Sequence, residues 1–114
     1  MRILIAAAVT GLLAQYYTEG AGPGDAARGA AAWKAEHLDA ATGERRSCTT
    51  CHDADPRKGG RHAKTGEAID AMVGGDALSD AANVEKWFGR NCKWTYGRPC
   101  TPQEKADFLA FFTK

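Results

Sequence analysis

Apolar side chains recur at the three- to four-residue spacing of an α-helix in three parts of the chain. The predicted helices cover residues 26–37, residues 81–90 and residues 102–114. Gly29 and Trp33 lie four residues apart and therefore share one face of the first of these helices. No stretch alternates apolar and polar residues as a half-buried strand does. The pattern predicts an all-α domain.

Capping residues mark where each predicted helix begins. Thr101 and Glu104 have the spacing of a capping box, with a proline between them at the first helical position. Asp25 is a suitable N-cap for the alanine-rich helix that follows it, and Ser79 or Asp80 can cap the next helix along the chain. These caps support the three helices and their order.

The first 14 residues carry one positive charge followed by a short apolar run, which has the shape of an export signal. The run is shorter than the roughly 20 apolar residues that a membrane-spanning helix needs. Alternatively, residues 12–17 already belong to an N-terminal helix of the mature domain. We predict that residues 1–14 are a truncated or unprocessed export signal that runs into this helix, with one domain over residues 15–114 and no membrane span in the mature domain.

Length and charge limit the number of domains and the class of partner. The 114 residues suffice for one domain, and 15 basic against 14 acidic side chains leave a net charge of +1. So balanced a composition implies neither nucleic acid nor an acidic surface as a partner.

Residues 53–79 are interrupted repeatedly by glycine, and apolar side chains are sparse between residues 53 and 68. So long an irregular stretch is uncommon in a compact domain unless it is functional. The stretch is expected if its loops wrap a cofactor that itself supplies buried apolar surface.

Residues 48–52 read Cys-Thr-Thr-Cys-His, the attachment signature of a c-type haem. The thiols of Cys48 and Cys51 add across two haem vinyl groups, and the two intervening residues on one helical turn set the span between them. The imidazole of His52 is then the proximal ligand of the iron. The motif predicts one covalent haem c.

Two other uses of this motif agree less well with the sequence. A thioredoxin-like redox pair needs no histidine after it and normally follows the strand of a βαβ unit, a pattern that this chain lacks. A structural zinc ion would need two more cysteine or histidine ligands. Cys92 and Cys100 are not spaced as a second pair of zinc ligands.

Cys92 and Cys100 are left over once the haem cysteines are assigned. A disulfide between them would close a small loop and stabilise the fold by roughly 2–3 kcal/mol. Two free thiols in an exported protein are the alternative. Because a leftover cysteine pair and covalent haem both indicate an oxidising compartment, we expect a periplasmic protein.

The sixth position on the iron decides between an electron carrier and a protein that binds small molecules. Met72 would give a Met/His electron carrier, although it comes early, 20 residues after His52. His62 or His37 would give a bis-His haem, but both have polar sequence neighbours that suggest the surface. Asn91 is intrinsically the poorest ligand of the four, and taken alone it is typical of a helix C-terminus.

Three segments carry a resemblance to a known family: residues 47–52, residues 84–92 and residues 97–107. With Arg-Asn-Cys at 90–92 and Cys-Thr-Pro at 100–102 as the most specific parts, the chain resembles the sphaeroides haem protein family and the related cytochrome c double-prime group. The resemblance covers residues 26–113 and implies a small class I-like cytochrome c fold, with three or four helices around one covalent haem. Met72 is not required by the family pattern.

The resemblance also implies a distal ligand. In that family the residue just before the first disulfide cysteine binds the iron, and it is asparagine in the sphaeroides type and histidine in the double-prime type. Asn91 would therefore be the distal ligand of ferric iron and would dissociate on reduction. The ferrous haem would then bind oxygen, nitric oxide or other diatomics, with electrons supplied by another cytochrome, such as a dihaem cytochrome c. Reduction of oxygen or nitrogen oxides is compatible with this site. A simple electron carrier with permanent Met72 or His62 ligation is the alternative.

Overall fold

The computed structural model of the chain describes residues 2–52, 55–61, 65–69 and 78–113. Four α-helices make up most of the described chain: α1 (Arg2–Thr18), α2 (Ala26–Lys34), α3 (Ala81–Tyr96) and α4 (Pro102–Phe112). A 3₁₀ turn spans Cys48–Thr50. Two short antiparallel pairs join β1 (His37–Leu38) to β2 (Arg45–Arg46) and β3 (Gly60–Arg61) to β4 (Ala68–Ile69). The predicted all-α class is confirmed.

The starts of α2, α3 and α4 are confirmed together with their caps. The Asp25 and Asp80 carboxylates each accept a hydrogen bond from a backbone N–H in the first turn of α2 and α3. The Thr101 hydroxyl accepts from the N–H of Glu104 at 3.2 Å, and the Glu104 carboxylate accepts from the N–H of Thr101 at 2.8 Å. The capping box therefore satisfies two N–H groups that the start of α4 leaves without a helical partner.

α2 ends earlier than predicted, and the residues after it form a strand pair that the sequence pattern did not indicate. Ala35 is extended, with ψ of 135°, so that the helix stops at Lys34. His37 then lies opposite Arg46 in the β1–β2 pair. Strands of two residues are too short to show the alternation from which strands are predicted.

α3 runs to Tyr96, beyond the predicted end at Arg90. Residues 91–96 contain no glycine or proline, so nothing in that stretch breaks the helix. Gly97 ends α3 in the left-handed conformation, with φ of 73°, and its N–H donates to the carbonyl of residue 93 at 2.9 Å. Asn91 therefore lies inside α3 and not at its C-terminal end, which corrects the sequence-based expectation.

α2 and α4 come into backbone contact at Gly29. A Cβ atom on Gly29 would lie 2.1 Å from the carbonyl oxygen of Asp107, so only glycine fits there. The Asp107 carboxylate accepts hydrogen bonds from Arg28 Nε at 3.0 Å, from the N–H of Asp25 at 2.9 Å and from Gln103 Nε2 at 3.0 Å. These contacts fix the start of α2 on the middle of α4.

The core lies between the four helices. Its larger members are buried apolar side chains: Val9, Leu12, Tyr16, Trp33, Val84, Phe88, Phe108, Leu109 and Phe112. Trp33 is 2 % exposed and lies on the same face of α2 as Gly29, as predicted. Its ring centroid is 5.3 Å from that of Phe112, in an edge-to-face contact. The close approach at Gly29 therefore brings Trp33 into the aromatic face of α4.

α1 runs through the segment predicted as an export signal and packs against α3 and α4. Val9 and Leu12 are buried, and Tyr16 is fully enclosed. The Tyr16 hydroxyl donates to the carboxylate of Glu85, which also accepts from Lys105 Nζ at 3.0 Å. None of the helices that the structure describes combines the length and apolar character that crossing a bilayer requires. The export role of residues 1–14 stays a prediction.

Candidate haem site

The attachment segment is a tight turn closed by its own hydrogen bonds. The N–H of Ser47, a buried residue, donates to the hydroxyl of Thr50 at 3.0 Å. The N–H of His52 donates to the carbonyl of Cys48 at 3.0 Å. These bonds hold the two motif thiols and the imidazole on one short segment, as the motif requires.

Cys48 and Cys51 are free thiols, and both are half-buried. Burial raises the pKa of the Cys48 thiol to about 12. Redox-active cysteines have a lowered pKa, so the thioredoxin-like alternative does not fit. The zinc alternative does not fit either, because no three histidine, cysteine, aspartate or glutamate side chains come together in the part of the chain that the structure describes.

His52 lies against Trp33. Their ring centroids are 5.1 Å apart and the rings are tilted by 39°. Burial lowers the pKa of the His52 imidazole, which favours the neutral form that binds metal ions. The Nδ1 atom of His52 is buried and has no hydrogen-bond partner within the described residues. An imidazole that is neutral and held by packing fits the proximal iron ligand.

A cavity of about 390 Å³ lies beside the attachment segment, and it is lined by Cys51, His52, Gly59, Gly60, Arg61 and Ala68. A Cβ atom on Gly60 would lie 1.9 Å from the carbonyl oxygen of Cys51. The same carbonyl accepts from the N–H of Arg61 at 2.7 Å. The β3 strand is therefore held against the haem motif. Two free thiols, a neutral imidazole and an adjoining cavity together fit a covalent haem.

Asn91 lies half-buried on α3, directly before the buried Cys92. Cys92 forms the predicted disulfide with Cys100, and the two Cα atoms are 5.5 Å apart. Because Asn91 is inside a helix and next to a cross-link, its backbone is restrained from two sides. Trp87, one turn earlier, is 41 % exposed and leaves apolar surface beside Asn91.

Met72 and His62, two of the four candidates for the sixth ligand, lie outside the described residues. His37 is described, and the expectation that it lies at the surface is wrong. Its ring packs edge-to-face on Tyr96, with centroids 4.4 Å apart. The Nε2 atom of His37 is buried, with no partner in the described residues. This contact depends on the β1–β2 pair, which no periodic pattern indicated.

Nothing in the sequence distinguishes Arg46 from its neighbour Arg45, but the burial of their side chains differs in the structure. Arg45 is exposed, whereas the Arg46 side chain is only 13 % exposed. The Arg46 guanidinium lies 4.6 Å from the centroid of the Trp94 ring, donates to the Trp94 carbonyl at 3.3 Å and pairs with Asp39 at 3.1 Å. It thus joins the segment before the haem motif to the last turns of α3. The inward position of one of two adjacent arginines again follows from the unpredicted β1–β2 pair.

The sequence and the fold both match known proteins. The family described as a domain of unknown function (DUF1924) matches residues 19–112. The chain is 43 % identical over 106 residues to the cytochrome c-type protein SHP of Cereibacter sphaeroides, covering 88 % of this chain and 78 % of the relative. It is 32 % identical over 73 residues to cytochrome c'' of Methylophilus methylotrophus, covering 61 % of this chain and 51 % of the relative.

Two solved structures share the architecture. Oxidised SHP, described as an oxygen-binding cytochrome c, superposes with a TM-score of 0.74 at 39 % identity, covering 91 % of this chain and 94 % of the other. Oxidised cytochrome c'' from Methylophilus methylotrophus superposes with a TM-score of 0.77 at 21 % identity, covering 93 % of each chain. The second likeness concerns the fold alone.

Proposed function

Because the chain belongs to the SHP family of c-type cytochromes and is a monohaem c protein, we propose that it is a periplasmic haem protein gated by its redox state. In this proposal Asn91 is the distal ligand of the ferric protein and leaves that position on reduction. The haem supplies the iron at which oxygen, nitric oxide or another diatomic binds. That the solved SHP relative is described as an oxygen-binding cytochrome c supports this class of ligand.

The observation that carries the proposal is the location of Asn91. It is half-buried, in the interior of α3, and directly precedes a buried cysteine that is cross-linked to Cys100. A helical residue next to a disulfide presents its side chain from a fixed backbone. We therefore assign the gating movement to the Asn91 side chain and not to unwinding of a chain terminus.

We call the redox-dependent binding and release of Asn91 the gate. The donor chemistry of asparagine determines which oxidation state keeps this ligand. An amide oxygen is a hard donor, which suits ferric iron better than ferrous iron. Reduction therefore weakens the bond that Asn91 makes, whereas a thioether such as that of Met72 is a soft donor and suits the reduced state. A methionine ligand would keep the distal position closed in both states, as in an ordinary electron carrier.

Electrons reach the protein from another cytochrome in this proposal, and a dihaem cytochrome c is a donor of the appropriate class. Turnover of oxygen or of a nitrogen oxide requires this donor to deliver at least one further electron after the diatomic has bound and before it dissociates.

Optical spectra of the wild-type protein in both oxidation states test the proposed function. We expect a six-coordinate low-spin ferric haem and a five-coordinate high-spin ferrous haem that takes up carbon monoxide. A ferrous haem that stays low-spin and six-coordinate, and that excludes carbon monoxide, would identify a simple electron carrier instead.

A further inference from the structure

Two cations lie over an exposed aromatic ring on α3, and a third cation is exposed one turn further along the helix. Lys86 Nζ lies 5.7 Å and the Arg90 guanidinium carbon lies 5.4 Å from the centroid of the Trp87 ring. Lys93 is exposed on the next turn. We call Lys86, Trp87, Arg90 and Lys93 the Trp87 patch. Arg90 directly precedes Asn91, so the patch adjoins the proposed gate.

The charge of the patch is not neutralised within the described residues. Lys86, Arg90 and Lys93 form no salt bridge there, whereas Arg98 pairs with Glu104 at 2.8 Å and Lys105 pairs with Glu85 at 3.0 Å. Like charges three and four residues apart destabilise an isolated helix. The contacts of Lys86 and Arg90 with the Trp87 ring offset part of this cost, because a cation over an aromatic ring is attracted to it.

The shape of the patch is suited to another protein surface. Trp87 is 41 % exposed, which makes it one of the few large apolar side chains of the described chain that is open to solvent. Gly89 lies between the cations in sequence, and a Cβ atom there would have no neighbour within 4 Å. An exposed tryptophan with a lysine and an arginine over its ring has the composition of an interface centre, where tryptophan and arginine are enriched.

We propose that the Trp87 patch is the docking surface for the electron donor, and that the donor presents a carboxylate-rich surface to it. This rests on the proposed function, which needs a donor that approaches the haem. The net charge of +1 gives the whole molecule little long-range attraction. Attraction to a donor must therefore come from local clusters of charge, because charges act over a Debye length of about 8–10 Å at physiological salt. Weak redox encounters of this kind bury small interfaces and depend on electrostatic steering.

A small inorganic anion is a poorer occupant for the same residues. Anion sites bring several donors onto one point inside a concave pocket, whereas two of these cations lie over an exposed tryptophan ring. A protein surface can contact the ring and all the cations together.

The test uses reduced flavodoxin, an acidic electron-transfer protein, as the probe. Haem reduction by flavodoxin is followed by stopped flow at low and high salt for the wild type and for the Lys86→Glu/Arg90→Glu double variant. We expect the double variant to react at least tenfold more slowly at low salt, and to lose most of its salt dependence. A Lys34→Glu/Lys58→Glu double variant carries the same charge change on other faces and should react as the wild type does.

Two further measurements keep the outcome unambiguous. Amide chemical shifts recorded during titration with oxidised flavodoxin should change around the Trp87 patch, and Lys93→Glu alone should weaken that binding. Shifts centred on residues 57–61, equal rates for all variants, or the same shifts with nitrite alone would overturn the proposal. Carbon monoxide binding by the same ferrous samples reports the gate separately, so a failed gate is not mistaken for a failed docking surface.

Discussion

At the scale of single residues, the haem motif depends on side chains that lie outside it. Trp33 comes from α2, yet its ring packs on the imidazole of His52 at 5.1 Å. Gly60 comes from β3, and its lack of a side chain lets the backbone approach the carbonyl of Cys51. The motif supplies the chemistry of attachment. These neighbours determine how the imidazole and the cavity are held.

Asp107 carries the clearest pH-dependent contribution to stability. Burial alone would raise its pKa, but hydrogen bonds from Arg28, from the N–H of Asp25 and from Gln103 lower the pKa of Asp107 below its usual value. We predict that Asp107→Asn lowers the free energy of unfolding at pH 7 by roughly 1.5–3 kcal/mol, the usual worth of a hydrogen bond to a charged group. Urea denaturation of the two proteins measures this difference.

The sign of the pH dependence follows from the lowered pKa of Asp107. The stabilising effect is fully present above the pKa of an unfolded aspartate, about 3.9, and is lost as the pH falls through the lower pKa of the folded state. The difference between wild type and Asp107→Asn should therefore be constant near neutrality and shrink in acid. A difference that grows in acid would contradict this account.

At the scale of the elements, the contact between α2 and α4 depends on Gly29. Gly29→Ala would place a Cβ atom 2.1 Å from the Asp107 carbonyl oxygen, so we predict a loss of about 1–3 kcal/mol from overpacking. Gly89→Ala is the matched control, because that glycine is also helical but exposed, with nothing within 4 Å. Gly89→Ala should stabilise α3 by roughly 0.5–1 kcal/mol. Thermal unfolding that ranks the two variants in the opposite order would refute the close contact.

The disulfide joins α3 to the cap of α4. We predict that Cys92→Ser/Cys100→Ser lowers the free energy of unfolding by roughly 2–3 kcal/mol, since the bridge closes only a short loop. If the bridge also holds Asn91 in place, the ferric variant should bind added imidazole more readily than the wild type. Wild-type thiols that react with iodoacetamide at both positions would show that the bridge does not form in solution.

The sequence predicts the helix starts well because caps are local. Asp25, Asp80 and Thr101 each satisfy N–H groups within a few residues of themselves, so their effect is readable from the chain alone. The end of α3 was misplaced because Asn91 is compatible with a helix end, while the residue that ends the helix is Gly97. The end of α3 depends on one left-handed residue, and asparagine and glycine are both compatible with that conformation.

The sequence pattern did not predict the β1–β2 pair. It therefore did not predict the positions of Arg46 and His37 either. A strand of two residues has no measurable period. Both side chains pack against the last turns of α3, far away in sequence, through Trp94 and Tyr96. The haem cysteines and His52 needed no such information, because their chemistry is encoded in five consecutive residues.

At the scale of the whole molecule, the structure has a helical core and a side that carries the haem attachment turn. The four helices together bury most of the apolar side chains that the domain can enclose by itself. The attachment turn, the β3–β4 pair and the cavity beside His52 lie together, and few apolar side chains follow the motif in sequence. A haem bound in this cavity would supply apolar surface that the sequence after the motif lacks.

The gate makes one prediction for the whole molecule, which concerns the reduction potential. In the proposed gate Asn91 stabilises only the ferric state, so its removal in Asn91→Ala should raise the reduction potential. A bond worth about 1.4 kcal/mol corresponds to a tenfold change in ferric binding and a rise of about 59 mV for a one-electron couple. Asn91→His should lower the potential relative to Asn91→Ala, because it restores a ferric ligand.

The most direct test of the gate is electron paramagnetic resonance of the ferric haem in Asn91→Ala, measured beside Met72→Ala and His62→Ala. We predict a high-spin signal for Asn91→Ala, while the other two variants stay low-spin like the wild type. Ferrous spectra should be nearly the same for all four proteins, since Asn91 has already left the iron in that state. A high-spin signal in Met72→Ala together with an unchanged low-spin signal in Asn91→Ala would contradict the gate and make the protein an ordinary electron carrier.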